Sequence, residues 1–374
     1  MSSEQNKPYL LNLPIDTINI VVSFAYENEG DLLIRKVSNM CRSHFREVKF
    51  YPQTKDDLQS RLKLISIFPN VRFKILASFG SYFGSKLSDI VKLRGNVYDV
   101  ALYGFQEINA DILKGVPRVS IQGCWFTNIL NTHVLGDVEY LNLSGLDTIS
   151  DVSLFSKVRS LNLSGCINVT NVEALSKVHT LNLSGCNQVS DVSALGNAHY
   201  LNLSFVRGKI SHGIVNSRNF ISDVSALGRV HTLNLSDCIN ITDVSALGGV
   251  HTLNLSGCFG ISEVNMLGRV HTLNLSRCNM VSDVSKLGNV YDLNLSECFR
   301  ISDVSMLGGV HYLNLEDCCE VTTLKGLEGV CQIRINMCNS IPDVENLDLP
   351  NVMYVHDCDW GDDGNEYEYD DWDE

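Results

Sequence analysis

The sequence lacks the features that would place a protein in a class at once. It has no run of about 18 apolar residues, so no membrane-spanning helix and no membrane partner are expected. The apolar stretch from Leu10 to Tyr26 is broken by Asn12, Pro14 and Asp16, which does not suit a signal peptide. It contains no glycine-rich phosphate loop, HExxH, CxxC pair or nucleophile elbow. We therefore predict no enzyme activity, no catalytic, cofactor-binding or metal-binding residues, and no cofactor.

Basic residues are also scarce. The 29 Lys and Arg residues against 43 Asp and Glu residues give a formal charge of -14. The stretch from Asp357 to Glu374 contains ten carboxylates and no Lys or Arg, so the remainder carries only -4. A chain without a basic face is poorly suited to the phosphate backbone. We expect no nucleic-acid partner.

One phrase repeats through residues 138–358. From Val178 it reads VHTLNLSGCNQVSDVSALGN, and it restarts at Ala198. Its Leu-Asn-Leu centre recurs in steps of 20 residues, except for one step of 32 from Leu201 to Leu233. A fixed period of this size is the signature of a stacked repeat protein. Positions within a repeat are numbered below from its first residue, so that Val178 is position 1.

The phrase predicts its own geometry. Leucines at positions 4 and 6 flank an asparagine, which is typical of a very short strand with both leucines inward. Aliphatic residues at positions 12, 15 and 18 supply the rest of the core. One repeat cannot bury these residues alone, so neighbouring repeats must stack and their strands must pair in parallel. The second half is too short for a full helix and predicts a tight turn or one 3₁₀ turn. Aspartate at position 14 is expected to cap that turn.

This phrase resembles the cysteine-containing leucine-rich repeat, L-x-x-L-x-L-x-x-C/N. The resemblance covers well over half the chain. It implies an α/β fold, a leucine-rich-repeat solenoid with a parallel β-sheet on its concave face. We expect the solenoid over residues 97–358, with an insertion at 205–220 and an acidic disordered tail at 359–374. The tail is interpreted as solubilising, and docking on a partner or on the basic insertion is the alternative.

Residues 8–50 fall outside the repeat and predict a small N-terminal α-helical module. Leu13-Pro14-Ile15-Asp16 opens one helical pattern, and a second follows Asp31. The segment resembles an F-box, although Phe45 stands one residue late in place of the usual tryptophan. The resemblance implies that a Skp-family adaptor docks on Leu13, Pro14, Asp16, Ile18, Val21, Val22, Phe24, Leu32, Leu33 and Val37. Residues 51–96 are expected to form a helical linker or cap with an irregular first strand at Val71–Ile75.

The F-box resemblance implies the substrate-recognition subunit of an SCF-type cullin ubiquitin ligase. Its partners would be the adaptor and a protein substrate, and the chain would be a monomer within that complex. The alternative is a stand-alone leucine-rich-repeat scaffold with no ubiquitin link, whose N-terminal helices only cover the open edge of the first repeat.

Cysteines and sequons predict a reducing compartment, cytoplasm or nucleus. Ten of the 13 cysteines lie at position 9, where an in-register ladder specifies no unique disulfide pairing: Cys124, Cys166, Cys186, Cys238, Cys258, Cys278, Cys298, Cys318, Cys338 and Cys358. Asn-Leu-Ser sequons recur at eight repeats, and glycans at strand spacing could not be accommodated.

Two polar rows, the variable loop positions and the insertion remain as candidates for function. Histidines at position 2 could bind a metal in principle, but the favoured interpretation is structural stacking. Asparagines at position 5 are expected to hydrogen-bond from rung to rung. Positions 8, 10, 11 and 20 vary between copies, so selectivity is placed on the loops after each strand and on the insertion, although unconstrained drift would look the same. Candidate target-binding residues are Phe205, Arg207, Lys209, His212, Arg218, Arg277 and Arg300.

Overall fold

The computed structural model describes residues 47–50, 72–78, 97–122, 127–206, 219–336 and 352–353. The chain divides into two compact units, Met1–Asn240 (unit 1) and Ile241–Glu374 (unit 2). The ten F-box-like positions between residues 13 and 37 lie outside the described residues. So do the four basic residues of the insertion, within 207–218, and the acidic tail.

The described part of unit 1 is built from short strands. They are β1 (Glu47–Phe50), β2 (Arg72–Ser78), β3 (Val97–Tyr103), β4 (Glu107–Asn109), β5 (Arg118–Gln122), β6 (Asn128–Leu130), β7 (Tyr140–Asn142), β8 (Ser160–Asn162), β9 (Thr180–Asn182), β10 (Tyr200–Asn202) and β11 (Thr232–Asn234). β1, β2, β3, β5 and β7 to β11 lie side by side in that order, and β4 pairs with β6. Every pairing is parallel.

Unit 2 continues the same pattern within itself. Its strands are β12 (Thr252–Asn254), β13 (Thr272–Asn274), β14 (Asp292–Asn294), β15 (Tyr312–Asn314), β16 (Gln332–Arg334) and β17 (Val352–Met353). They pair in parallel and in chain order, with each position opposite the same position of the next copy, as in Leu273 opposite Leu293. The predicted parallel sheet of identical rungs is therefore confirmed in each unit.

Single 3₁₀ turns occupy the second half of most repeats, as predicted. Their bounds are Ala110–Leu113, Thr132–Asp137, Ser153–Phe155, Glu173–Leu175, Ser193–Leu195, Ser225–Leu227, Ser245–Gly249, Asn265–Leu267 and Ser305–Leu307. The aspartate at position 14 caps this turn: Asp191 Oδ1 accepts a hydrogen bond of 2.9 Å from the Ser193 N–H, and Asp303 does the same for Ser305. Hydrogen bonds from the Ser193 and Ser305 side chains, and then from their backbone N–H groups, lower the pKa of the two carboxyls.

The core of each unit consists of the predicted inward positions. In the repeat that starts at Val178, positions 4, 9 and 12 (Leu181, Cys186 and Val189) have exposed fractions of 0%, 5% and 1%. Burying one leucine side chain stabilises a fold by about 1.5–3 kcal/mol. Because each rung covers the apolar residues of its neighbour, this contribution exists only in the stack.

The irregular first rungs begin earlier than predicted. Phe50, Ile75 and Val100 are paired in register, so these rungs are spaced 25 residues apart and lie upstream of the expected start at residue 97. The predicted strand near Val71–Ile75 is present as β2. The sequence did not reveal the length of the array because these rungs lack the Leu-Asn-Leu phrase and its 20-residue step.

Two backbone constraints recur in many of the described rungs. Position 8 is left-handed: Gly185 and Gly257 have φ near 70°, and the same conformation is imposed on Asp237, Arg277, Glu297 and Asp317 (φ 57–61°). At position 19 neighbouring rungs nearly touch, because a Cβ on Gly268 would collide with the carbonyl oxygen of Lys286. In these rungs position 8 varies in side chain but keeps its left-handed backbone, whereas Phe205 at the same position does not adopt it.

Candidate functional site

The cysteine ladder is internal. Cys166, Cys186, Cys278, Cys298 and Cys318 each donate a hydrogen bond from Sγ, at 3.0–3.2 Å, to the position-6 carbonyl one rung earlier. Burial raises the pKa of the Cys278 and Cys298 thiols to about 12. These thiols are protonated and packed, so we assign them to the core.

The position-2 row forms the expected ring stack on the surface. In unit 1 the rings of His179, His199 and His231 are stacked at 4.9 and 4.5 Å. In unit 2 His251, His271, Tyr291 and His311 are stacked at 4.6–4.7 Å. Burial, and then His231 and His179, lower the pKa of His199. Parallel stacked rings direct their lone pairs the same way, whereas a shared metal at ~2.1 Å needs them to converge. The geometry favours structural stacking.

The asparagines at position 5 act differently from the prediction. Asn294 Oδ1 accepts a hydrogen bond of 3.0 Å from the Ser296 N–H, and Asn314 does the same for Glu316. The same bond recurs in the earlier rungs, from Asn142 onward. The amide oxygen therefore closes the turn within its own rung, because that N–H lies two residues on and has no strand partner. The NH₂ group is left to face the polar surface.

Among the predicted target-binding residues, Phe205 is a correction. It is only 6% exposed and its N–H bonds to the Ser236 carbonyl at 2.9 Å, so it anchors the insertion and offers nothing to a partner. Phe205 occupies position 8 but lacks the left-handed turn that Arg277 and Glu297 adopt there, and its side chain is buried in the core. Arg277 and Arg300 are exposed, as a binding residue must be, but they lie in separate loops. Arg207, Lys209, His212 and Arg218 lie outside the described residues.

A cavity of about 400 Å³ opens on the sheet face of unit 2 that carries positions 3 and 5, here called the polar face. It spans β14, β15 and β16. Its lining, here called the polar pocket, consists of Asp292, Asn294, Tyr312, Leu313, Asn314, Gln332 and Arg334. Tyr312 makes edge contacts with His311 and Tyr291, at 4.5 and 5.6 Å, so the ring stack supports one wall.

Two charged groups of the polar pocket have no partner within the described chain. Neither the Asp292 carboxylate nor the Arg334 guanidinium makes a side-chain hydrogen bond or ion pair there. Burial raises the pKa of Asp292, and the charges of His271 and Arg334 oppose this effect. A partly desolvated carboxylate that makes no hydrogen bond or ion pair is stabilised when a cation binds it.

Sequence reasoning missed this pocket although a signal was present. From β7 to β13, position 3 is always Ser, Thr or Tyr, and position 5 is Asn from β7 to β15. Asp292, Gln332 and Arg334 break both rows within three adjacent rungs. Arg334 is the first residue of the position-5 row that is not asparagine, and it lies in a degraded copy of the repeat.

Repeating units of strand, left-handed turn and 3₁₀ turn define a leucine-rich-repeat-like solenoid. No family model matches the sequence, and no curated protein sequence matches it significantly. Among the described residues, no helix has the length and apolar character needed to cross a bilayer.

Solved structures that resemble the chain are leucine-rich-repeat proteins of bacteria. An internalin (inlF) from Listeria monocytogenes is 16% identical over 91% of this chain and 98% of its own, with a TM-score of 0.49. The functional domain of InlJ from Listeria monocytogenes is described as including a cysteine ladder. It is 14% identical over 74% of this chain and 69% of its own, with a TM-score of 0.38. The leucine-rich-repeat protein LIC12759 from Leptospira interrogans is 14% identical over 80% of this chain and 74% of its own, with a TM-score of 0.43. With TM-scores below 0.5, the fold assignment depends on the chain's own strands and turns.

Proposed function

We propose that this chain is a non-catalytic interaction protein that holds a protein partner on the polar pocket of unit 2. The observation that carries the proposal is the break in an otherwise uniform face. Positions 3 and 5 are neutral over the preceding regular rungs, and unpaired charges of both signs occur where the cavity opens. Stacking of the rungs does not require charged residues at positions 3 and 5 in this part of the sheet.

The test is affinity purification from the native cell with quantitative mass spectrometry, followed by binding to the purified partner. We expect one protein whose recovery falls about tenfold in Tyr312→Ala, because truncating a central aromatic residue commonly costs more than 1 kcal/mol of binding. Met306→Ala is the matched control, since Met306 is 63% exposed on the turn side of the same unit. A partner lost in Arg277→Ala and Arg300→Ala but retained in Tyr312→Ala would place binding on the loops instead.

We further propose that the partner is a ubiquitination substrate and that the chain is the receptor subunit of an SCF-type ligase. The support is the F-box resemblance of the N-terminal segment, carried by Leu13, Pro14 and Val21 among others. The alternative remains a scaffold with no ubiquitin link. A pull-down with a Skp-family adaptor separates them: wild type binds and the Pro14→Ala/Val21→Ala variant does not. If deleting residues 1–50 instead causes aggregation without loss of any partner, the segment is only a cap.

We also propose that the protein functions in a reducing compartment, cytoplasm or nucleus. The support is that the position-9 thiols are protonated hydrogen-bond donors rather than disulfide partners. In addition, the sequon residues Asn142, Asn182 and Asn202 are at most 9% exposed and use their Oδ1 atoms inside the turn. Intact mass after purification under non-reducing conditions tests this, and a glycan or disulfide would contradict it.

A further inference from the structure

The two charges of the polar pocket form no ion pair with each other in the described chain, although the charge of Arg334 opposes the rise in the pKa of Asp292. Asp292 lies on β14 at position 3 and Arg334 on β16 at position 5. Two strand spacings of ~4.8 Å across the sheet and two residues of ~3.3 Å along it separate their backbones by roughly 12 Å. Tyr312 occupies the rung between them and carries no charge. Each group therefore remains available to a ligand charge of the opposite sign.

The groups between these charges are mainly hydrogen-bond donors. The Oδ1 atoms of Asn294 and Asn314 are occupied by the turn N–H groups of Ser296 and Glu316. Both asparagines line the pocket, and their remaining NH₂ groups can only donate. Carbonyl oxygens of a polypeptide backbone are the matching acceptors. Gln332 is exposed at the pocket edge and supplies both a donor and an acceptor.

The chain's own acidic tail does not fit this set of groups. From Asp357 to Glu374 it could supply carboxylates for Arg334, but it contains no Lys or Arg for Asp292. A purely acidic or purely basic ligand would leave one pocket charge next to a charge of the same sign. The complementary ligand has both signs.

We propose that the polar pocket binds an extended segment of a partner protein that carries one basic and one acidic side chain three to four residues apart. That spacing follows from dividing roughly 12 Å by the ~3.3 Å rise of an extended chain. The basic side chain pairs with Asp292 and the acidic one with Arg334, while backbone carbonyls accept from Asn294 and Asn314. This inference rests on the proposed function, because it names the partner chemistry of the same site.

Four acetylated and amidated hexapeptides test the proposal by NMR titration of the full-length protein. The mixed-charge probe is Gly-Lys-Ala-Ala-Glu-Gly, and the controls replace both charged residues by Lys, by Glu or by Gln. We expect the mixed peptide to bind about fivefold more tightly than any control, since one exposed ion pair contributes up to about 1 kcal/mol. The signals that shift should belong to β14, β15 and β16.

Charge-neutral variants assign each contact. The Asp292→Asn variant should no longer prefer the mixed-charge peptide over the doubly acidic peptide. The Arg334→Gln variant should no longer prefer the mixed-charge peptide over the doubly basic peptide. Asp283→Asn and Arg300→Gln make the same charge changes at exposed sites outside the pocket and should leave both preferences intact. Melting curves confirm that every variant is folded.

Equal binding of all four peptides, or tighter binding of a like-charged one, would overturn the proposal. So would a mixed-charge preference that survives in both pocket variants. The protein-binding function fails separately, when no purified partner depends on Tyr312. If a partner does depend on Tyr312 while the peptides show no preference, the pocket is retained as the binding site and only the charge rule is wrong.

Discussion

Units 1 and 2 both place charged residues on the polar face of their sheets, but their arrangements differ. In unit 1, Lys74, Asp99 and Arg118 are in register with one another on β2, β3 and β5. Lys74 Nζ lies 3.1 Å from Asp99 Oδ2, and the Arg118 guanidinium lies 4.9 Å from the centre of the Tyr140 ring. In unit 2, Tyr312 separates the rung of Asp292 from that of Arg334.

The comparison shows that the spacing of charged residues across a parallel sheet decides whether they form an ion pair within the fold or remain available to a ligand. Opposite charges on adjacent rungs are ~4.8 Å apart at the backbone and neutralise each other. Asp292 and Arg334, two rungs apart, form no ion pair in the described chain and interact only through their electric fields. A second constraint is shared by both units, since position 8 is left-handed whether it is glycine, as in Gly185 and Gly257, or a residue with a Cβ, as in Asp237 and Arg277.

The largest predicted effect breaks the pair in unit 1. Asp99→Ala leaves Lys74 without its carboxylate at a site where Asp99 is only 9% exposed, and should lower the free energy of unfolding by about 2 kcal/mol. Asp292→Ala should change it by less than about 0.5 kcal/mol, because no pair is lost. Urea unfolding followed by circular dichroism measures both. A double-mutant cycle with Lys74→Ala should assign most of the Asp99 effect to the pair, and equal losses at both aspartates would contradict the comparison.

Relief of backbone strain in unit 2 comes next. Arg277→Gly should stabilise the fold by about 1 kcal/mol, because glycine adopts φ near 60° without the cost that a Cβ imposes. Gly257→Ala is the reciprocal control and should destabilise by a similar amount. The shift in thermal midpoint measures both, and a midpoint unchanged by Arg277→Gly would show that its left-handed turn carries no strain.

A smaller effect is expected from giving unit 2 the arrangement of unit 1. Tyr312→Arg places a cation on the rung next to Asp292, as Lys74 is next to Asp99. The new pair should stabilise the fold by about 0.5 kcal/mol and weaken binding of the mixed-charge peptide. Tyr312→Gln controls for loss of the ring. Stabilisation should disappear in an Asp292→Asn background, and its persistence there would exclude the ion pair as its cause.

The smallest effect is the pH dependence of Asp292. Burial raises its pKa in the folded state above the ordinary value of 3.8, so the folded state holds this proton more tightly than the unfolded state does. Its contribution to stability is full below pH 3.8 and is lost as pH rises through the folded pKa. Asp292→Asn should therefore be slightly more stable than wild type at pH 7. The difference should vanish near pH 3, and a thermal-melt series tests its sign.

Much of the fold follows from local repetition. The period, the inward positions, the 3₁₀ turn and the aspartate cap were all predicted because each depends on residues within one rung or on an identical neighbour. The ring stack at position 2 followed for the same reason. The first rungs could not be predicted in this way, because β1 and β2 lack the phrase. They are recognised only by strand pairing, of β1 with β2 and of β2 with β3.

The candidate site was harder to predict because its residues act across rungs. Variation between copies favours Arg277 and Arg300, and each is exposed, but neither lines the polar pocket. The position of Phe205 at the start of the insertion favours a binding role, but burial removes its side chain from the surface. The pocket depends on how Asp292, Tyr312 and Arg334 lie side by side, which no single repeat contains.

The sequence by itself determined the rung: a 20-residue period with buried positions, a capped turn and an internal thiol. These features depend on contacts between near neighbours or identical copies, so periodicity specifies them. Only the tertiary structure decided which charges are neutralised. Charge pairing depends on whether two residues lie on adjacent rungs or are separated by one, and Asp99 and Asp292 differ in that respect.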